Sequence, residues 1–323
     1  MPTNNTIELF KKYIALLDEI YKYESKTNVL DGENQLAKQG ANANELIVPM
    51  INMDGLAEYT RSSGYTDGNV DLKFETMRCN FDRGRMFTID AMDNIETMGM
   101  AFGKLASEFM RTKVIPELDA FRIATYASLS DISAAKAADL DTGAKVVSAL
   151  RTATTTMNND EVAENSRILF IETGLKGLLD DLDTTKSKAV LNKFSSIIEM
   201  PQSRMYTKIK QLSGKGNEKA GGYAAGERAS NINFIIVEKS AVIQFNKRVK
   251  DKIITPEQNQ NADAYKYGYR QVAIADGYKN KRAGIYLHTS TVTNGTPGNA
   301  NPGGDGGQGA QNGGTGDDGA GTP

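Results

Sequence analysis

The residue types that most often carry enzyme chemistry are scarce in this chain. His288 is the only histidine and Cys79 the only cysteine among 323 residues. A two-histidine zinc site within one chain is therefore excluded, as is an internal disulfide. No serine or cysteine motif accompanies His288, so we predict a surface or strand-end histidine rather than a general base. Cys79 lies in a strand-like pattern, which favours a small buried hydrophobic residue.

Two other clusters resemble ligand sites, but their spacing is wrong. The glycine-rich run from Gly214 to Gly222 has glycine at its end, where a phosphate-binding loop needs lysine. It has Lys219 where a dinucleotide motif needs its third glycine, so we predict a flexible surface loop. Aspartates between 180 and 183 lack EF-hand spacing and are interpreted as a solvated helix end, with a lattice cation as the alternative. The sequence thus indicates no catalytic, cofactor-binding or metal-binding residue, and no cofactor.

Composition and charge are those of an ordinary soluble chain. The formal net charge is −2, so neither nucleic acid nor an anionic membrane surface is indicated as a tight partner. No run of about 18 apolar residues occurs, so we predict no transmembrane helix and no membrane partner. Residues 1–30 have amphipathic helical spacing and no signal-peptide core, which makes the cytoplasm the expected site of synthesis.

The positioning elements begin with a predicted β-hairpin that continues into a long helix. Alternation with polar positions at Leu72, Phe74 and Thr76 predicts a half-buried strand. Residues 82–84 predict a turn, and the residues around Ile89 a return strand. A capping-box-like signature at Asp93 starts an apolar stripe that continues to residue 128. Such a helix would be about 50 Å long, which suggests a subunit that reaches its neighbours. We expect Pro116 to bend or break this helix, because proline removes a backbone hydrogen bond.

The rest of the chain mixes strands and helices without strict alternation, which predicts an α+β fold. Predicted strands lie at 45–53, 167–172, 195–200, 233–237, 249–254, 265–275 and 283–287, and predicted helices at 134–158, 174–182 and 239–247. The segment from Asn294 to Pro323 holds no lysine, arginine or large apolar residue. We expect it to be a disordered, solvated tail, because it cannot bury enough surface to offset chain entropy.

Several runs, in order and spacing, resemble major capsid proteins of tailed bacteriophages with the Hong Kong 97-like fold. They are Met53 to Tyr59 with Gly64-Tyr65, Phe74 to Thr76, Asp82 to Arg85, Ile89 to Asp93, Glu108 to Ala120, Phe234 to Val242, Pro256 to Asn259 and Ala262 to Ala264. Each run is weakly specific alone, and together they cover most of residues 45–288. The glycine-rich tail lies outside the resemblance.

The resemblance implies a domain plan for the chain. It comprises an N-terminal arm at 1–43, an extended hairpin loop at 44–92, a peripheral domain with the spine helix at 93–159, an axial domain at 160–248, return strands of the peripheral domain at 249–290 and the tail at 291–323. The expected contacts between subunits lie near the hairpin bends, at Arg61, Asp82, Arg83 and Arg85; the alternative for each is an ordinary solvated turn charge.

The resemblance also implies a function as a self-assembling shell protein. Hexamers and pentamers of this chain would close into an icosahedral shell, with portal and scaffolding proteins as partners and packaged DNA in weak, non-specific contact. The expected location is the virion, after synthesis in a bacterial cytoplasm. One alternative is a cargo-enclosing nanocompartment shell of the same fold. An α/β enzyme built on residues 160–248 is the alternative from another class, opposed by the scarcity of catalytic residue types.

Overall fold

The structure, a computed structural model, describes residues 25–32, 38–39, 45–62, 64–91, 106–182 and 185–294. Most of the predicted N-terminal helix, the helix start at Asp93 and residues 295–323 of the predicted tail lie outside these ranges. No helix within the described ranges is long and apolar enough to cross a membrane.

A five-stranded sheet forms the larger part of the core. Its strands, in spatial order, are β5 (Ser133–Ala134), β13 (Ile285–Asn294), β10 (Ala229–Glu238), β6 (Arg167–Glu172) and β7 (Ser196–Met200). Two inner strands, β6 and β10, are buried along most of their length, and their paired runs 168–171 and 234–237 are apolar at every position because both faces of the sheet are covered.

Helices cover the two faces of this sheet with separate hydrophobic clusters. On one face lie α2 (Gly143–Asn159), α3 (Thr173–Leu182) and α4 (Thr185–Leu191), packed against the side chains of residues such as Leu169 and Phe234. On the other face, α1 (Ile115–Ala127) packs through Ile123 and Tyr126. Alternate residues of β6 and β10 therefore enter different clusters, as the two-residue period of a strand requires.

A second sheet of three strands packs against the first half of the long helix. It consists of β11 (Val242–Ile254), β12 (Ala264–Gly277) and β4 (Phe81–Asp90). Residues 106–109 are helical, and a π-helical turn, Met110–Val114, leads into α1. Met110 and Val114 pack on Tyr267 and Tyr269 of β12, so one helix contributes to the core of both sheets.

The predicted turn at Asp82 to Gly84 is wrong, because these residues lie inside β4 and pair with β12. The strand before it, β3 (Val70–Arg78), pairs instead with β2 (Glu45–Met53), and only Cys79 and Asn80 separate β3 from β4. Gly84 has a packing role: a Cβ there would lie 2.6 Å from the carbonyl oxygen of Tyr269. A glycine that permits close approach of a neighbouring strand was thus mistaken for a turn glycine.

Three further expectations need correction. The helix predicted at 239–247 is a single 3₁₀ turn, Lys239–Ala241, followed by β11. The expected tail began at 291, but β13 continues to Asn294 and pairs with β10 as far as Ala229. A short hairpin of β8 (Ile209–Gln211) and β9 (Tyr223–Ala225) was not predicted; it carries the glycine-rich run between its strands.

His288 is buried in β13 rather than exposed at a strand end. Its ring stacks on Phe234 with centroids 4.9 Å apart. Its Nδ1 lies 3.1 Å from Nδ2 of Asn233, and this amide also donates to the Ala138 carbonyl. Burial lowers the pKa of His288 from its ordinary value of 6.5. The ring is therefore a neutral core residue with one polar partner.

A buried polar network fixes residues 25–31 against α1. Asp119 is fully buried and accepts hydrogen bonds from Ser25 Oγ at 2.8 Å, Thr27 Oγ1 at 2.7 Å and Arg204 Nη1 at 3.2 Å. One turn further along α1, buried Arg122 donates to Thr27 Oγ1 at 3.0 Å and to Asp31 at 3.2 Å. Opposite charges and hydrogen bonds compensate each other here, as buried ions require.

Replacement of Asp119 by alanine should destabilise the fold strongly. The change leaves Arg204 and the 25–27 segment without their acceptor, so the free energy of unfolding should fall by roughly 3–5 kcal/mol. The matched control is Asp180→Ala, which breaks an exposed pair with Lys176 and should change stability by about 0.5 kcal/mol or less. Denaturant unfolding measures both, and equal small effects would contradict the stabilising role of the network.

Stability should depend on His288 below pH 6.5. Because its folded-state pKa is lowered, the unfolded chain binds a proton there that the folded chain excludes, and stability is lost as pH falls from 6.5 toward the folded value. A His288→Gln variant lacks this loss. The free energy of unfolding of the wild type, relative to that of the variant, should therefore fall by up to about 1.4 kcal/mol between pH 7.5 and pH 5.5. Urea unfolding at both pH values tests this, and an unchanged difference would refute it.

Candidate interaction surface

The hairpin of β2 and β3 projects from the second sheet with few contacts of its own. Two nine-residue strands pair in register from Glu45 opposite Arg78 to Met53 opposite Val70, and a two-residue strand β1 (Lys38–Gln39) pairs beside β2. At about 3.3 Å per residue, each strand spans about 30 Å. Such a ribbon is marginal alone and needs an additional surface to cover it.

One face of this ribbon is apolar and exposed. Directly opposed residues share a face of a sheet, so the pairs Ile51 with Leu72 and Met53 with Val70 lie side by side, with Phe74 next along β3. The exposed fraction of these five residues ranges from 54 to 65 %. We call them the apolar ladder. A contiguous exposed apolar patch of this kind marks a protein-interaction site.

The tip of the hairpin, residues 54–69, adds more exposed apolar side chains. Leu56 is fully exposed, and Tyr65 is 89 % exposed with its ring centroid 4.9 Å from that of Tyr59. The tip is closed by Asp54, whose backbone N–H donates to the Asn69 carbonyl and whose carboxylate accepts from the Asn69 N–H. The exposed side chains are thus carried by a loop whose two ends are bonded to each other.

The base of the hairpin is anchored in the core. Met77 is buried with Ile243 and Ile274. After β3, the Asn80 side chain donates to the Ala275 carbonyl at 2.7 Å and accepts from the Ala275 N–H at 3.1 Å, which ties the link to β12. Cys79 is half-buried, and burial raises the pKa of its thiol. The ribbon therefore has a fixed base and a free outer face.

Three of the charged residues expected at subunit contacts, Asp82, Arg83 and Arg85, have partners inside this chain, and Arg61 lies exposed in the tip. Asp82 accepts two hydrogen bonds from Arg270, at 2.9 and 2.6 Å, which hold the pKa of Asp82 below its usual range. Arg83 Nε donates to Glu117 at 2.7 Å. Burial raises the pKa of Glu117, although Arg83 beside it acts in the opposite direction. A role of these residues between subunits stays a prediction.

Arg83 and Arg85 also hold the glycine-rich loop between β8 and β9. Arg83 Nη2 donates to the carbonyls of Leu212 and Gly222, and Arg85 donates to those of Lys219 and Ala220 at 3.0 Å. Within the loop, Glu218 accepts from Lys210 and from the Ser213 N–H, which lower the pKa of Glu218 to about 2. The loop expected to be a free surface segment is thus tethered to β4.

Other predicted features are placed as follows. Pro116 lies in the first turn of α1, directly after the π-helical turn through which the helix continues; a bend at this point stays a prediction. Asp180 pairs with Lys176 at 2.5 Å, and residue 183 lies outside the described residues. No group of three or more histidine, cysteine or carboxylate side chains is arranged as a metal site in the described part of the chain.

Sequence reasoning recognised the alternation of Leu72 and Phe74 but interpreted it as a half-buried strand. The alternation is real, and both residues lie on one face. What the sequence could not show is the pairing with β2, which brings Ile51 and Met53 onto the same face without any covering element. The available signal was a second predicted strand at 45–53, separated from the first by a long polar loop.

Comparison with known proteins identifies the fold. No protein-family model matches the chain, and no curated protein matches it. Solved structures do match: the Pyrococcus furiosus virus-like particle at a TM-score of 0.55 and 12 % identity, covering 87 % of this chain and 99 % of the other. The capsid structure of Staphylococcus phage Andhra matches at a TM-score of 0.52 and 13 % identity, covering 80 % and 84 %. The structure of Mycobacterium phage Che8 matches at a TM-score of 0.51 and 10 % identity, covering 80 % of this chain and 93 % of the other.

These likenesses extend over most of both chains and confirm the predicted fold. The chain has the α+β Hong Kong 97-like capsid fold. At such low sequence identity the likeness concerns the fold alone and assigns no role to individual residues of this chain.

Polar substitution on the apolar ladder should leave the single folded chain intact. Leu72→Thr with Phe74→Thr introduces β-branched residues that suit a strand and removes side chains that are already more than half exposed, so stability should change by less than about 1 kcal/mol. The matched control, Met77→Thr on the same strand, removes a buried side chain and should lose about 2–4 kcal/mol. Thermal unfolding of the unassembled chain distinguishes the ladder variant from the control. A large loss from the ladder variant would place the ladder in the chain's own core.

Proposed function

We propose that this chain is the major capsid protein of a tailed bacteriophage. Copies would assemble through hexamers and pentamers into an icosahedral shell that encloses the double-stranded DNA genome, and the chain would reside in the virion. The fold supports a shell function, and the apolar ladder is the observation that carries the proposal. A chain that exposes five apolar side chains on a projecting ribbon gains stability when another surface covers them.

The proposed domain plan follows the sheets. The extended loop is the β2–β3 hairpin, 45–78, rather than the whole of 44–92. The peripheral domain would comprise the three-stranded sheet with the spine helix, of which 106–127 is described. The axial domain would comprise the five-stranded sheet with α2, α3 and α4. It would therefore include β13, which sequence analysis assigned to the return strands of the peripheral domain.

The proposed partners are, first, other copies of this chain, and then portal and scaffolding proteins. Packaged DNA would touch the inner surface weakly, since the chain's net charge of −2 provides little non-specific attraction for phosphate. Weak contacts between copies suffice, because each copy in a closed shell is held by several at once.

A second candidate is the shell of a cargo-enclosing nanocompartment. The observation in its favour is the likeness to the Pyrococcus furiosus virus-like particle, which covers 99 % of that chain. The two candidates share the fold and the self-assembly, and they differ in contents. Particles recovered from infected or induced cells would contain nuclease-protected double-stranded DNA in the first case and a protein cargo in the second.

Assembly is tested by removing the tip of the hairpin. The purified full chain, concentrated with any scaffolding protein encoded beside it, should give closed particles by negative-stain electron microscopy and analytical ultracentrifugation. Replacement of 54–69 by Asn-Gly, which closes a tight hairpin, should abolish particles while the unfolding temperature of the chain is kept. Truncation after Asn294 is the control and should leave particles intact. A chain that stays monomeric under all these conditions would refute the proposal.

A further inference from the structure

An open groove of about 520 Å³ lies between three elements of the chain. Its walls are the helix at 108–117, strand β4 from Phe81 to Phe87, and the loop between β8 and β9. The ring centroids of Phe87 and Phe109 are 4.8 Å apart, and that of Tyr269 lies 6.1 Å from Phe109, so the three rings form one continuous aromatic surface. A concave, mainly aromatic site of this size is within the range that binds small molecules.

The guanidinium of Arg85 is held in place at this groove. Its Nη1 donates to the Ala220 carbonyl and its Nη2 to the Lys219 carbonyl, both at 3.0 Å. Glycine at position 221 makes this placement possible, because a Cβ there would lie 2.8 Å from Nη1 of Arg85. Both acceptors are neutral and leave the positive charge uncancelled, and an arginine has more N–H donors than these two bonds use. The loop therefore positions a charged group that can still bind an anion.

Charge at the groove is unbalanced toward the positive. Both carboxylates of its lining have cationic partners: Glu117 pairs with Arg83 at 2.7 Å, and Glu108 pairs with an arginine one turn along the helix at 2.8 Å. The other two cations of the lining, Arg85 and Lys113, form no ion pair within the described part of the chain. A ligand with an apolar body and a negative charge would therefore complement this surface.

The chemistry of the lining narrows the class of ligand further. A flat aromatic body can pack edge to face or offset against the rings of the groove. A carboxylate matches the planar fork of guanidinium N–H groups with two parallel hydrogen bonds. One fixed guanidinium and one flexible ammonium suit a single carboxylate, whereas a phosphate ester would bring a charge of about −2 into a mainly aromatic site.

We propose that the groove binds a small aromatic carboxylate, with its carboxylate on Arg85 and its aromatic body against Phe87 and Phe109. The exposed ammonium of Lys113 would add a weaker attraction. Every residue of this site belongs to one copy of the chain, so the inference goes beyond the shell function and does not depend on it. A bound ligand would contact β4, the helix and the β8–β9 loop at once, and would hold these three elements together.

Binding of two matched probes to the unassembled full chain tests the proposal. The probes are 2-naphthoate and 2-naphthamide, which share the aromatic body and differ in charge, and equilibrium dialysis measures the Kd of each. Naphthoate should bind with a Kd below about 1 mM. It should bind about tenfold more tightly than the amide, because a hydrogen bond to a charged group is stronger than one to a neutral group.

Two charge variants test the role of the cations. Arg85→Gln should weaken naphthoate binding about tenfold and remove its advantage over naphthamide. Lys113→Gln leaves the loop tether intact and should weaken naphthoate binding about threefold, as expected for an exposed charge. Naphthoate affinity that is unchanged in both variants would overturn the proposal.

A matched pair of tryptophan variants tests the location. Thr112→Trp places a large ring in the groove and should weaken binding of both probes at least about tenfold. Thr152→Trp makes the same change on the exposed face of α2 and should leave both affinities unchanged. Equal effects of the two tryptophan variants would overturn the proposal, as would naphthoate that binds no better than naphthamide or does not saturate the wild-type chain. None of these results would alter the proposed shell function, which particle formation tests separately.

Discussion

The carboxylate of Asp119 is the group on which the arrangement of this chain depends most. It is fully buried on α1, and its partners come from the segment 25–27 and from Arg204. Arg122 extends the same network to Asp31 and to Asn246 of β11. Gln271 of β12 donates to the same Asn246 oxygen. Buried ion pairs lose their hydration, so they stabilise a fold only when each charge finds well-placed hydrogen-bond partners. This network therefore favours one placement of these elements over others.

From that placement follows the relation between the two sheets. The helix that carries Asp119 contributes to the core of the five-stranded sheet at one end and to that of the three-stranded sheet at the other. On its far side, Glu117 receives Arg83 from β4, and Arg83 in turn holds the β8–β9 loop. Charged groups on one helix thus connect the N-terminal segment, Arg204, two strands of the three-stranded sheet and, through Arg83, the loop between β8 and β9.

Much of this architecture was predictable from local pattern, because most of its elements have a clear period and clear boundaries. The apolar run Arg167–Glu172 is a strand as expected, and the helix predicted at 174–182 begins one residue earlier. The helix predicted at 134–158 begins only at Gly143, and residues 133–134 form the edge strand β5 instead. The failures involve tertiary context. Gly84 has the composition of a turn but serves close strand packing, and 239–247 has apolar spacing that suits a helix or a strand equally.

The interaction surface was less accessible to sequence reasoning for a related reason. Whether Leu72 and Phe74 are covered depends on which strand pairs with β3 and on what lies above it, and neither is local information. Likewise, Arg83 and Arg85 were recognised as important charges, but their carbonyl partners at 212–222 are more than a hundred residues away along the chain. The sequence identified Arg83 and Arg85 as candidate contact residues, but only the fold shows which groups they bind.

The π-helical turn Met110–Val114 changes the direction in which the side chains after it leave the helix axis. A π turn accommodates one extra residue, which rotates everything after it by about 100° relative to an uninterrupted α-helix. Ala106 before the turn and Met110 and Val114 within it therefore pack with Tyr267 and Tyr269. Ile123 and Tyr126 after it pack in the core of the other sheet. A single straight stripe would serve one sheet and turn away from the other. This rotation lets one helix supply buried side chains to both sheets, so that a shift of either sheet along the helix would uncover part of its own cluster.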